Sequence, residues 1–321
     1  MKFAILLLGL FLIEILYFKI ADKFNIIDKP NQRSSHTKIT LRGGGIIFYI
    51  GTLLYFIIDG FQYPWFFAGL TLIAAISFAD DIRPQSAKLR LLVHFISMLL
   101  MFYQWDLFSL PWYFTLLALV LSVGIINAYN FMDGINGITG GYSLVLLIAF
   151  WFINNYQVSF IDNELIYFIG LAVLVFDIFN FRIKAKCFAG DVGAVSIAFV
   201  IVFMLGLLII KTHDFSYIIL LAVYGVDSML TIVHRIMLKE NIFEAHRKHA
   251  YQIMANELKI KHIYVSLIYM VLQAVIIFGY IMCFEYRYIY TISAFAVLGI
   301  VYIIFMKKFF HLHLQSSKKA E

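Results

Sequence analysis

The chain has 321 residues, 63% of them hydrophobic and only 14% charged, against roughly a quarter charged in soluble domains, and its mean hydropathy is +0.89. That composition excludes an ordinary soluble domain and predicts an all-α, polytopic membrane protein. The net charge of +6 reads as membrane topology plus attraction to anionic head groups and substrates, with no basic-aromatic surface for nucleic acid, and two cysteines make no disulfide framework.

Apolar runs predict about eleven transmembrane helices, near 3–20, 43–59, 64–80, 90–105, 110–127, 138–154, 164–181, 193–210, 215–233, 263–283 and 288–306. Most approach the ~20 residues that cross a bilayer. They form one polytopic domain over 1–306, followed by a basic tail, 307–321, at the membrane surface. Lys2 precedes the first run as in a signal peptide, but no small-residue cleavage site follows and Lys19 interrupts its end, so it is kept as a span. Eleven spans put the termini on opposite faces. With the amino terminus outside, the inner segments hold all of the 25 Lys and Arg except Lys2, Lys211 and Arg287, the orientation that the positive-inside rule selects. Cys187 and Cys283 then fall on opposite sides and cannot pair.

The inner segments carry the polar chemistry. The first runs from Asp28 through Arg33-Ser34-Ser35-His36-Thr37 to Leu41-Arg42 and three glycines at the mouth of the second span. It offers a dense set of donors and a place for close approach, or else is an ordinary charged loop with a glycine packing face. The third span ends in Asp80-Asp81. Adjacent carboxylates repel, so they suggest Mg²⁺, a hard cation that takes oxygen ligands, or a solvated acidic end paired with Arg83 or Lys88.

Between two apolar runs lies the stretch on which the rest is organised, Asn127-Ala128-Tyr129-Asn130-Phe131-Met132-Asp133-Gly134-Ile135-Asn136-Gly137. Polar side chains at a span end are costly unless they line a site. Asn127, Asn130 and Asp133 recur every three residues and so share one helix face; the plainer alternative is a Gly-Asn turn with capping asparagines. Further on, Asp191 stands between Gly190 and Gly193 before another apolar run, as an accessible carboxylate at a helix start or as a plain cap. The longest inner segment holds His246-Arg247-Lys248-His249, a compact cationic group suited to pyrophosphate, with a transition metal at the i, i+3 histidines as the alternative.

Taken together, Asp80, Asp81, Asp133 and Asp191 would serve Mg²⁺, Asn127 and Asn130 orientation, and Arg33, Arg42, His246, Arg247 and His249 phosphate. A site of that kind facing inward suits phosphoryl transfer between a soluble nucleotide and a lipid phosphate.

From about Asp28 to Gln252 the chain resembles the polyprenyl-phosphate N-acetylhexosamine-1-phosphate transferases. The resemblance is carried by Arg-Ser-Ser-His-Thr with Arg-Gly-Gly-Gly, Asp80-Asp81, Asn127-x-x-Asn130-x-x-Asp133-Gly-x-Asn136-Gly, Gly190-Asp191-x-Gly193 and His246-x-x-His249-x-Tyr251-Gln252. It implies transfer of a sugar-1-phosphate from a UDP-N-acetylhexosamine to undecaprenyl phosphate with release of UMP, in a bacterial plasma membrane, with Mg²⁺, or Mn²⁺ in its place, and a homodimer as the candidate assembly. By the resemblance Asp80, Asp81 and Asp191 are catalytic, Asp191 a Mg²⁺ ligand and Asp80 the base on the lipid phosphate, with Asp81 and Asp133 as further ligands. Arg33, Ser34, His36, Arg42, Asn127, Asn130, Asp133, Asn136, His246, Arg247 and His249 would bind substrate. Three positions depart from the family pattern: Asn136 for a second Asp, Ala194 for a Ser, and Leu41 for a Pro. The motif forms look closer to the branch serving O-antigen and capsule than to the muropeptide branch. The rival readings are a phospho-MurNAc-pentapeptide transferase, an ion-coupled transporter and a non-catalytic lipid-phosphate scaffold.

Overall fold

The computed structural model describes residues 1–28, 39–242, 244 and 246–318. Arg33, Ser34 and His36, expected to bind substrate, lie outside the described residues. Among the described residues ten helical spans are long and apolar enough to cross a membrane. They are α1 (Lys2–Lys23), α3 (Pro64–Ile82), α4 (Ala87–Gln104), α5 (Trp112–Met132), α6 (Ile138–Tyr156), α7 (Asn163–Asn180), α8 (Gly190–Thr212), the 3₁₀ turn Phe215–Leu221 continued by α9 (Ala222–Met237), α11 (His262–Met282) and α12 (Arg287–Lys318). The eleventh expected span is α2 (Ile46–Ile58), whose 13 residues reach only about 20 Å. It is short because Gly43 to Gly45, read as its first turn, instead form a bend with Gly43 at φ +80°. A one-turn α10 (Ala250–Gln252) and a π-helical turn, Ile253–Glu257, complete the chain.

Local sequence sets the helix starts. Pro64 opens α3, the Ser86 hydroxyl accepts from the Leu89 amide at 3.2 Å to open α4, and the Asp162 carboxylate accepts from the Glu164 amide at 3.0 Å to open α7. The spans are apolar all round, as lipid requires: Leu91, Leu92, Val120, Ile292 and Ile304 point outward from the bundle. Helix α8 is the centre, with 78% of its apolar window buried against 22% in α1 and in the α12 span. The irregular backbone ahead of α9 is tolerated because Gln273, fully buried, accepts from the Val223 amide at 3.0 Å and donates to the Ile219 carbonyl at 3.1 Å.

Two features shape the end of the bundle that carries the polar segments. Strands β1 (Ile27–Asp28) and β2 (Thr40–Leu41) pair antiparallel, Ile27 opposite Leu41, and Leu41 bridges in parallel to Cys187. This ribbon ties residues 27–28 and 40–41, between α1 and α2, to the loop before α8. At the other edge α12 runs unbroken for 32 residues, about 48 Å against a ~30 Å hydrocarbon core, so the boundary expected at 306 falls inside it. Its later turns pack Tyr302, Met306 and Phe310 on Ala250 and Ile253, and His313 meets Glu257 at 2.8 Å.

Candidate active site

The carboxylate cluster forms where α3 ends and α8 begins. The starts of α2 and α8 touch backbone to backbone: a Cβ on Gly193 would meet the Gly45 Cα at 2.6 Å. Gly190 enters α8 at φ +71°, which only glycine adopts freely, and a Cβ there would strike the Asp81 carboxylate. The amides of Gly44 and Gly45 donate to the carbonyls of Phe188 and Ala189 at 2.9 and 3.1 Å, and the Arg42 amide donates to Ile26 at 3.0 Å. Arg42 is thereby set over the start of α8.

Asp81 is turned into the protein and fully enclosed. Its carboxylate accepts from the amides of Asp191 and Val192 at 2.9 and 3.0 Å, and pairs with the Arg42 guanidinium at 2.7 Å. An acid from α3 thus caps α8, where the helix dipole favours negative charge. With its side chain wholly enclosed, Asp81 in this geometry holds the site together rather than offering a ligand or a base.

Asp80 and Asp191 face the opening instead. Asp80 accepts from the Gln85 amide at 2.6 Å and from Arg90 at 3.0 Å. Asp191 lies within hydrogen-bonding reach of Asp80, pairs with Arg42 at 3.4 Å and accepts from the Asn130 amide group at 3.4 Å. Their side chains are 12% and 24% exposed, which leaves them open to a ligand. Two neighbouring carboxylates call for a shared proton or a cation between them. Among the described residues no three His, Cys, Asp or Glu side chains converge as a preformed metal cage. The pair nevertheless fits Mg²⁺, which is usually held by one or two carboxylates, waters and substrate phosphates.

The organising stretch divides between site and scaffold. Asn130 reaches Asp191, and Asn127, one turn earlier, is exposed. Asp133, just past α5, accepts from the Thr139 hydroxyl at 2.6 Å, which occupies one of the oxygens expected to serve metal or substrate. Asn136 donates to the carbonyls of Arg182 and Ile183 at 2.8 and 3.4 Å, so its side chain shapes the following loop and does not face the opening. Asn180 completes that clamp, accepting from the Gly137 amide at 2.6 Å and donating to the Cys187 carbonyl at 2.8 Å.

Burial pushes the Asp133 carboxyl up to about 6, with the Thr139 hydroxyl opposing and Asp191 reinforcing. An acid whose folded value exceeds its unfolded 3.8 stabilises the fold only below that unfolded value; the contribution fades as pH rises and is gone above about 6. Asp133→Asn removes the cost of ionising in place, up to about 3 kcal/mol. Thermal unfolding in detergent is expected to favour the variant at pH 8 and to show a smaller gain at pH 5; equal gains at both would refute the assignment.

The segment between α9 and α11 folds against the same stretch. Tyr251 donates its hydroxyl to the Phe131 carbonyl at 2.8 Å, and the Phe131 ring lies 6.2 Å from those of His246 and His249. Arg235 is spent on Glu240 and on the carbonyls of Asn241, Ile242 and Glu244, and Lys248 pairs with Glu240. Arg247 is half-buried, with no hydrogen bond or ion pair among the described residues. His246 is not the cation expected: burial above all, with Arg235 and Lys248 adding to it, pushes its ring down to about 3, leaving it neutral. His249 is buried, with Nδ1 3.3 Å from Asp227 of α9. Asp227 was not singled out in the sequence. Its signal was there, as an ionisable residue inside an apolar span.

The structure is thus a multi-pass helical bundle with paired carboxylates, an arginine and amide groups at one mouth. Glycosyl transferase family 4 is the family whose model matches the chain, over residues 63–210, from the start of α3 to the last turns of α8. Over that stretch the chain is similar to that family. The matched stretch contains Asp80, Asp81, Asn127, Asn130, Asp133 and Asp191, whereas Arg42 and the histidine segment lie outside it. A probable undecaprenyl-phosphate N-acetylglucosaminyl 1-phosphate transferase of Bacillus subtilis (strain 168) is 26% identical over 269 residues, covering 77% of this chain and 74% of the relative. The undecaprenyl-phosphate alpha-N-acetylglucosaminyl 1-phosphate transferase of Escherichia coli (strain K12) is 26% identical over 284 residues, covering 77% and 75%.

Proposed function

We propose that this protein transfers N-acetylhexosamine-1-phosphate, with GlcNAc as the first candidate, from a UDP-sugar to undecaprenyl phosphate, releasing UMP. The observation that carries the reading is the open pair Asp80 and Asp191 beside Arg42 and Asn130, in a chain similar to transferases named for that acceptor. An oxygen of the lipid phosphate attacks the sugar-bearing phosphorus; a new P–O bond forms, the diphosphate P–O bond breaks, and UMP departs with the electron pair. The sugar keeps its own C1–O bond.

Asp80 accepts any proton left on the attacking phosphate, and Arg42 and Arg247 offset charge on the diphosphate. Asn127 and Asn130 orient the nucleotide end. Asp80 and Asp191 would hold Mg²⁺, which when bound neutralises phosphate charge and aligns donor and acceptor. The basic inner segments favour placing this mouth on the cytoplasmic face of a bacterial plasma membrane, where a soluble nucleotide sugar is available.

The test uses purified protein in detergent with undecaprenyl phosphate and Mg²⁺, following UMP release across a panel of UDP-sugars. Release with an N-acetylhexosamine donor, abolished by chelating the metal and restored by Mg²⁺ or Mn²⁺, is expected. Folded protein that releases UMP with no donor in the panel sinks the proposal.

A further inference from the structure

The buried histidine at the edge of the site is held by an acid that the sequence reading left out. Five donors converge on the Asp227 carboxylate: the Tyr269 hydroxyl at 2.5 Å, the Thr231 hydroxyl and the Ala250 amide at 3.1 Å each, His249 Nδ1 at 3.3 Å and the Tyr251 amide at 3.5 Å. A carboxylate so supplied is an acceptor only. Nδ1 of His249 must then carry a hydrogen, and in the neutral ring Nε2 is left bare. That Nε2 is buried and has no partner among the described residues. The ring stacks on His246 at 5.0 Å and on Tyr251 at 5.8 Å, next to Phe131, whose neighbour Asn130 reaches Asp191.

A plainer role competes. His249 opens α10 with a capping box, its side chain beside the Gln252 amide and its own amide donating to the Gln252 side chain at 3.2 Å. Because Nε2 is unpartnered, that contact falls to the Nδ1 edge, and as a cap Nδ1 would accept and Nε2 would carry the hydrogen. The cap tautomer incurs two penalties: it sets a bare nitrogen against a carboxylate oxygen, and it buries an unpaired N–H.

We propose that Asp227 is a positioning residue that fixes His249 as the Nδ1–H tautomer, so that its bare Nε2 accepts a hydrogen bond from a hydroxyl or acetamido N–H of the donor sugar. This rests on the transferase reading above and refines it: the ring reads a hydrogen-bond donor, whereas phosphate oxygens, which only accept, fall to Arg42 and Arg247. Reaching Nε2 requires His246 to swing aside.

The experiment is nitrogen NMR on full-length protein carrying ¹⁵N-histidine, with His249 assigned by difference from His249→Gln. The wild-type spectrum decides the tautomer without any turnover: a bare Nε2 and protonated Nδ1 are expected, and a protonated Nε2 overturns the proposal. Asp227→Asn, or Asp227→Glu should that variant not fold, is expected to shift the ring toward the other tautomer and to raise KM for the UDP-sugar about tenfold with little change in kcat. An unchanged ring overturns the positioning role. UDP-GlcNAc is expected to move the Nε2 resonance and UMP to leave it in place; equal movement with UMP means the ring reads the nucleotide, and the sugar assignment falls. If no donor is ever turned over, the transferase reading fails while the tautomer assignment stands on its own spectrum.

Discussion

Asp191→Asn is expected to lower UMP release by about 10³-fold, roughly 4 kcal/mol of transition-state stabilisation, while the protein stays folded. The loss follows from removing a charge at the mouth where the diphosphate would bind. The fold survives because the Asp191 side chain is partly exposed and its contacts with Arg42 and Asn130 are long, at 3.4 Å each. An amide in its place also relieves the contact with Asp80. Thermal unfolding should change by no more than about 1 kcal/mol. Turnover within a few fold of wild type would remove Asp191 from the chemistry.

Asp81→Ala is expected to behave differently, losing stability and activity together. The substitution leaves Arg42 without its closest partner and strips the cap from the first amides of α8, the most buried helix of the bundle. Breaking an enclosed ion pair from one side costs about 3–5 kcal/mol. Asp81→Asn, which keeps one acceptor, is expected to fall between the two. Unfolding in detergent separates the outcomes: an Asp81→Ala protein as stable as wild type yet inactive would return Asp81 to the catalytic groups and overturn its structural assignment. The two neighbouring aspartates thus make opposite tests, one of chemistry and one of architecture.

The spans were legible because lipid imposes a single rule, about twenty apolar residues with internally satisfied backbone, and the helices follow the predicted runs to within about five residues, apart from α12, which continues well past its predicted end. The segments that carry the candidate site were legible for the converse reason, since Asp80, Asn130, Asp133 and Asp191 are costly at span ends without a purpose. What the sequence did not disclose is division of labour. Asp80 and Asp81 are adjacent and chemically alike, yet helical geometry points one to the opening and the other into the start of α8, 110 residues away. Asn136 and Asn180 look like site amides and act as clamps, and Asp227 was lost inside an apolar run because its partners, His249 and Tyr269, lie far along the chain. Such pairings depend on tertiary contacts between distant segments, which periodicity and spacing do not encode.

The passage of α12 beyond the hydrocarbon core bears on how the molecule is made. Its last turns brace the segment that carries His249, while the opposite edge of the mouth is laid down by residues 27 and 41, far earlier in the chain. Membrane helices are inserted in order during synthesis, and contacts this distant close only after the intervening chain is in place. The mouth is therefore finished by α12. A chain halted before α12 would carry every aspartate of the cluster and still lack the support under its histidine segment, so the mouth takes shape with the arrival of α12 rather than with translation of the aspartate motifs.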